Sequence, residues 1–178
     1  PTPPPLPSLP EEAPTARAFA FLVGSWKVRH GKLKQRLAGS RDWVDFDGTL
    51  VNWPVLGGRG NVGDNVMNFP GAPFRGVGIR TLDPATGEWL SWWLDGRSPR
   101  SIAPPVRGGS PGGVGTFIGD DSFEGRPIKT RVLWSRITAT SARGGFASRN
   151  SAWFRSITRA IDPASFARSV IVASSWLC

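Results

Sequence analysis

The sequence predicts an all-β domain, and three observations carry that expectation. It holds 22 glycines and 17 prolines without a long stretch of 3.6-residue hydrophobic periodicity, which disfavours a helical bundle. Several segments instead alternate with period two, as a strand with one buried face does. Turn sequences such as Asp83-Pro84-Ala85-Thr86-Gly87 separate those segments. At 178 residues the chain fits one domain, and a 39% hydrophobic content with 9 Trp and 10 Phe fills one core. No apolar run approaches the roughly 18 residues of a membrane-spanning helix, so the expectation is a soluble chain with no membrane partner.

Residues 1–14 contain seven prolines, and 1–17 read as a flexible Pro-rich tail that cannot bury a core. From residue 18 the β pattern begins. Trp26, Val28 and His30 alternate with Lys27, Arg29 and Gly31, and Leu33, Gln35 and Leu37 extend this into one long strand bent at Gly31. Residues 42–53 alternate again, with Asp45 and Asp47 on one face and Val44, Phe46, Gly48 and Leu50 on the other, and should pair antiparallel with the first strand. The run from Gly57 to Gly63 formally matches G-x-G-x-x-G, but the nucleotide fingerprint needs a buried strand before it and a helix after it. Pro54, Asn65 and Pro70 argue against both, so it reads as a loop bordering a barrel mouth. The segments 76–82 and 89–94 flank the Asp83–Gly87 turn as a hairpin, and further strands are expected at 101–106, 113–118, 127–138 and 152–159, with a break at Gly119-Asp120-Asp121. A meander of eight or more short strands closes most simply into a small up-and-down barrel with an interior cavity, because closure removes exposed edges.

Phe21-Leu22-Val23-Gly24-Ser25-Trp26 carries the Gly-x-Trp that opens the first strand of lipocalin-like barrels. The runs Phe46–Thr49, Leu56–Val62, Leu82–Trp89 and Gly119–Ile128 follow in order. Across about 140 residues the chain resembles an uncharacterised bacterial lipocalin-like family of the calycin superfamily. The resemblance implies a lipocalin-like β-barrel over 18–160. It also implies that Gly24 and Trp26 close one barrel end, with Arg155 or Arg159 of the last strand stacked on the indole. It transfers no activity. Two stretches depart from the family pattern: residues 142–148 are short and glycine-rich, which abbreviates one barrel edge, and 161–178 have no counterpart. That extension should pack on the barrel or supply an extra strand.

Formal charge is +9, with four lysines, so arginine carries most of it. Arg29, Lys32, Lys34, Arg36 and Arg41 form the densest basic group, and binding through it would be lost with salt. Elsewhere arginines are scattered, and abundant Arg, Ala, Gly and Pro match a high-GC coding bias, which weighs against a nucleic-acid partner. Cys178 is the single cysteine, so neither an intramolecular disulfide nor a cysteine metal cluster can form, and cytoplasm is the default compartment. The N-terminus lacks a signal-peptide pattern and an initiator Met, as expected of a processed or trimmed chain.

With one His and one Cys, zinc sets are absent, and Asp45-x-Asp47-Gly48 lacks the other calcium-loop ligands, so no metal is expected. No Gly-x-Ser-x-Gly elbow accompanies His30. If Trp26 points inward, His30 shares its face, as a packing residue, a catalytic base or, as a minor option, a haem ligand. Trp43, Trp89, Trp93 and Trp134 could line a cavity, while Arg80, Asp95 and Arg136 sit where a charge could orient a ligand. The expected function is cofactor-free binding of a small hydrophobic or aromatic molecule, anionic ones included, by Trp43, Arg80, Trp93, Asp95, Trp134 and Arg136. The alternative is a cofactor-free isomerase or cyclase in which His30 or Asp45 moves a proton. A homodimer is left open.

Overall fold

The computed structural model describes residues 17–110 and 114–147, and for the backbone alone 148, 151–160 and 169–170. Among these, strands follow one another as an antiparallel meander: β1 (Gly24–Leu33), β2 (Trp43–Val55), β3 (Gly60–Met67), β4 (Phe74–Leu82), β5 (Trp89–Asp95), β6 (Val106–Gly109), β7 (Gly115–Phe123), β8 (Arg126–Ser135), β9 (Ser141–Ser148), β10 (Ser151–Ala160) and the short β11 (Ser169–Val170). Each pairs with its sequence neighbour, and β1 also pairs with β10 from Trp26↔Ala160 to Lys32↔Phe154. The sheet therefore curls round on itself as an up-and-down β-barrel, and β1 keeps no unpaired edge. No helix among the described residues is long and apolar enough to cross a membrane.

Alternation decides what faces in. Trp26, Val28 and His30 of β1 lie beside Leu50, Gly48 and Phe46 of β2, and all six are buried. Lys27, Arg29, Asp45 and Asp47 take the outer face, where Arg29 lies 4.0 Å from Asp45 and 3.9 Å from Asp47.

One end is plugged by a 3₁₀ turn, Ala20–Leu22, just ahead of β1. Phe19 and Leu22 are fully buried, each contributing about 1.5–3 kcal/mol of apolar burial. The Phe19 ring lies 5.0 Å from Trp89, 5.3 Å from Phe117 and 6.1 Å from Trp134, in the tilted or edge-on geometries that aromatic quadrupoles favour. Trp26 Nε1 donates to the Leu22 carbonyl at 2.6 Å, tying the first strand to the plug. Gly24 turns the chain between them with φ of +122°, a conformation that side chains resist.

The meander and the Asp83–Gly87 hairpin stand as read from the sequence, but several boundaries differ. The first strand stops at Leu33 rather than Leu37, because Leu37 adopts φ of 58° in the loop that returns to β2. Gly31 stays in the ladder opposite Asp45 and Arg155. The glycine-rich run holds a 3₁₀ turn, Leu56–Gly58, and then enters β3 directly. Residues 101–105 are not a strand: Pro104 and Pro105 lack the donors a ladder needs, and β6 begins at Val106. The expected break at Gly119-Asp120-Asp121 lies inside β7, which runs to Phe123 and turns through Glu124 (φ 51°) and Gly125 (φ 75°). Residues 142–148, expected to shorten an edge, lie in β9, which pairs with both β8 and β10. The Pro-rich tail lies outside the described residues, as does most of 161–178; within the latter, Ser169 and Val170 pair with Arg159 and Thr158.

Candidate functional site

The sector formed by β2 to β5 has an unusual lining. Register aligns Asn52 with Gly63, Gly63 with Gly78, and Gly78 with Trp93 across these four strands. The adjacent row runs Leu50, Asn65, Gly76, Asp95, and Asn61 pairs with Arg80 one step towards the plug. Asn52, Asn61, Asn65 and Arg80 are buried, at 2%, 2%, 3% and 7% exposure, where a barrel interior ordinarily carries aliphatic side chains. The glycines give them room. A Cβ at Gly63 would lie 2.8 Å from Asn52 Oδ1, and one at Gly76 would lie 2.1 Å from Cζ2 of Trp93, whose ring covers that glycine.

Part of this polar lining is structural. Asn61 donates to the Phe19 carbonyl at 3.4 Å and accepts from Arg80 at 3.1 Å, linking the plug to β4. The Arg80 guanidinium lies 5.5 Å from the Trp134 ring centroid, and burial lowers its pKa to about 10, which leaves it protonated at neutral pH. Among the described residues no carboxylate pairs with it. Asn65 Nδ2 donates to the carbonyls of Gly63 and Gly76 at 3.0 and 3.3 Å.

A cavity of about 390 Å³ lies beside Trp93 and Asp95, towards the barrel end opposite the plug. Trp93, Asp95, Arg97, Ser98, Ser101, Ile102 and Ala103 line it. Its size falls in the range of small-molecule sites. Asp95 accepts from Arg97 Nε at 2.9 Å and from a terminal guanidinium nitrogen at 2.5 Å, and Arg97 lies over the Phe74 ring at 4.1 Å. Burial raises the Asp95 pKa, but these hydrogen bonds outweigh it and hold the carboxyl below its ordinary value.

The residues singled out from sequence are thus distributed unevenly. Trp93 and Asp95 share the cavity, and Arg80 and Trp134 meet deeper inside. Trp43 is half-buried opposite Leu33 at the start of β2, away from them. Arg136 is exposed: its φ of 51° ends β8 and takes it off the alternation it would share with Trp134. His30 is 2% exposed, stacked on Phe46 at 4.9 Å, and desolvation lowers its pKa to about 3. Asp45 faces outward beside Arg29, so the barrel wall separates it from the imidazole. Gly24 and Trp26 form the corner at the plug, whereas the side chains of Arg155 and Arg159 lie outside the described part. Among the described residues no three of His, Cys, Asp or Glu gather as a metal site.

Asn52, Asn61, Asn65 and the floor of Gly63, Gly76 and Gly78 escape a search for charged or aromatic constellations. The signal that would have found them is an alternating Asn/Gly pattern, Asn61-x-Gly63-x-Asn65 followed by Gly76-x-Gly78-x-Arg80, in which the inward positions carry polar or no side chains.

Fold and site together define a curled up-and-down barrel with an aromatic plug and one polar, glycine-floored sector. No protein-family model matches this sequence, and no curated protein matches it either.

Proposed function

We propose that the barrel binds a small, flat, apolar or aromatic molecule in the cavity over Trp93. This takes the fold as a lipocalin-like one, in keeping with the Gly24-x-Trp26 corner and the buried aromatic cluster. The observation that carries the reading is the cavity itself: Trp93 and Ile102 offer apolar contact, while the Asp95–Arg97 pair supplies polarity at one side. Stacking on Trp93 contributes contact area and ring attraction without a cofactor.

The test is a fluorescence titration with N-phenyl-1-naphthylamine, a flat neutral probe that brightens in apolar surroundings. Saturable enhancement is expected, weakened about tenfold by Trp93→Leu, the equivalent of about 1.4 kcal/mol. Absence of enhancement, or equal affinity in Trp93→Leu, would overturn the assignment.

A further inference from the structure

Among the described residues, five buried polar atoms in the β2–β5 sector have no hydrogen-bond partner: Nδ2 and Oδ1 of Asn52, Oδ1 of Asn65, Nε of Arg80 and Nε1 of Trp93. They belong to side chains more than nine-tenths buried. Native interiors rarely leave such groups unmade, and each loses its hydration without a replacement. Five in one sector point to a molecule that belongs there.

The geometry brings these groups together. The Asn52 amide stands over Gly63, whose Cβ position is 2.8 Å from Oδ1, and the Arg80 guanidinium stands over Gly78, whose Cβ position is 3.4 Å from its nearest nitrogen. Gly63 and Gly78 are paired neighbours, and such positions lie about 5 Å apart. Trp93 pairs with Gly78 and covers Gly76, and Asn65 pairs with Gly76. An amide, a guanidinium and an indole, each packed on one of three neighbouring glycines, thus form a cradle. One terminal guanidinium nitrogen, Nη1, donates to Asn61, and Nε has no partner among the described residues.

We propose that this cradle receives the oxyanion, a carboxylate or enolate, of the flat molecule whose ring stacks in the Trp93 cavity. A buried guanidinium with no carboxylate partner among the described residues needs a counter-charge. Arg80 Nε, Asn52 Nδ2 and Trp93 Nε1 supply donors, and Asn65 Oδ1 or Asn52 Oδ1 accepts from a hydroxyl or amine beside the anionic group. The inference rests on the cavity reading above, because Trp93 is the wall that both share.

A matched pair of probes separates the two claims. 2-Naphthoate and 2-naphthamide have the same ring and nearly the same shape, and only the first carries an oxyanion. Isothermal titration of the full chain should show naphthoate binding at least about tenfold tighter than naphthamide. Asn52→Leu replaces the two unpartnered amide atoms with a similar apolar shape, so it should hold or raise the melting temperature while cutting the preference below about threefold. Gly63→Ala, which puts a methyl against that amide, should do the same to the preference. Equal binding of the two probes to the wild type overturns the cradle and leaves the cavity reading standing, as would a crystal structure in which the cradle holds only water. A preference that survives Asn52→Leu and Gly63→Ala but vanishes in Arg97→Ala also overturns it, because the oxyanion then sits at the rim. Failure of both probes to bind overturns both readings.

Discussion

His30 shows how one residue type takes its meaning from packing. The imidazole is stacked on Phe46, and its Nε2 lies 3.0 Å from where a Cβ at Gly48 would be, so the neutral form fits a dry slot. Its pKa of about 3 is below the 6.5 of an unfolded histidine, and the sign of the consequence follows. As pH falls from 6.5 towards 3, the unfolded chain takes a proton that the folded chain refuses, so stability is lost over that window. The interval corresponds to at most about 5 kcal/mol. Urea unfolding of wild type and His30→Phe should diverge progressively below pH 6.5, with the variant losing less. Parallel curves would show that the histidine is not buried neutral. At the plug, Trp26→Phe leaves the Leu22 carbonyl unpaired and should cost about 1–3 kcal/mol in chemical denaturation. That Trp26 and His30 share a face was legible from period-two alternation around Val28; which way that face points and how deep it lies were not, because both depend on the plug and on β2.

At the scale of elements, β2 and β3 approach one another more closely than ordinary side chains permit. A Cβ at Gly48 would lie 2.2 Å from the Val66 carbonyl oxygen, a backbone atom of the paired strand. Gly48→Ala should therefore destabilise the protein by about 1–3 kcal/mol, the range for overpacking, measured as a lower denaturant midpoint. A midpoint unchanged from wild type would mean that the strands separate freely there. The hairpin at Asp83–Gly87 was legible because Pro84 and Gly87 sit where a turn needs them, and Gly87 adopts φ of 70°. β3 was hidden for a physical reason: its inward residues are Asn61, Gly63, Asn65 and Met67, so hydrophobic alternation is nearly absent. β9 was hidden likewise, since Gly144 and Gly145 thin its pattern. The elements hardest to read include the one that walls the candidate site, because a polar site suppresses the very periodicity by which strands are found.

Across the whole molecule, the loop between β1 and β2 is tied to β7. Arg36, which also lies over the Phe123 ring, reaches Asp121 on β7 at 2.5 Å, and Asp121 accepts from Thr130 at 3.1 Å. With β1–β10 paired round the barrel, β7 is on the side away from β2, so this partly buried ion pair joins opposite sides of the barrel. Arg36→Ala should lower stability by about 1–3 kcal/mol in chemical denaturation, because it leaves the partly buried Asp121 carboxylate without its cation. A denaturant midpoint unchanged from wild type would mean that the pair does not hold the two sides together. The sequence by itself determined the all-β class, the up-and-down order and the shared face of Trp26, Val28 and His30, since alternation and turn chemistry act over a few residues. Only the tertiary structure decided that Asp45 and His30 lie on opposite sides of one wall, and that Asn52, Arg80 and Trp93 converge over glycines from strands up to 41 residues apart. Convergence of that kind depends on register and curl, which are set by pairings between distant segments and leave no local trace in the chain.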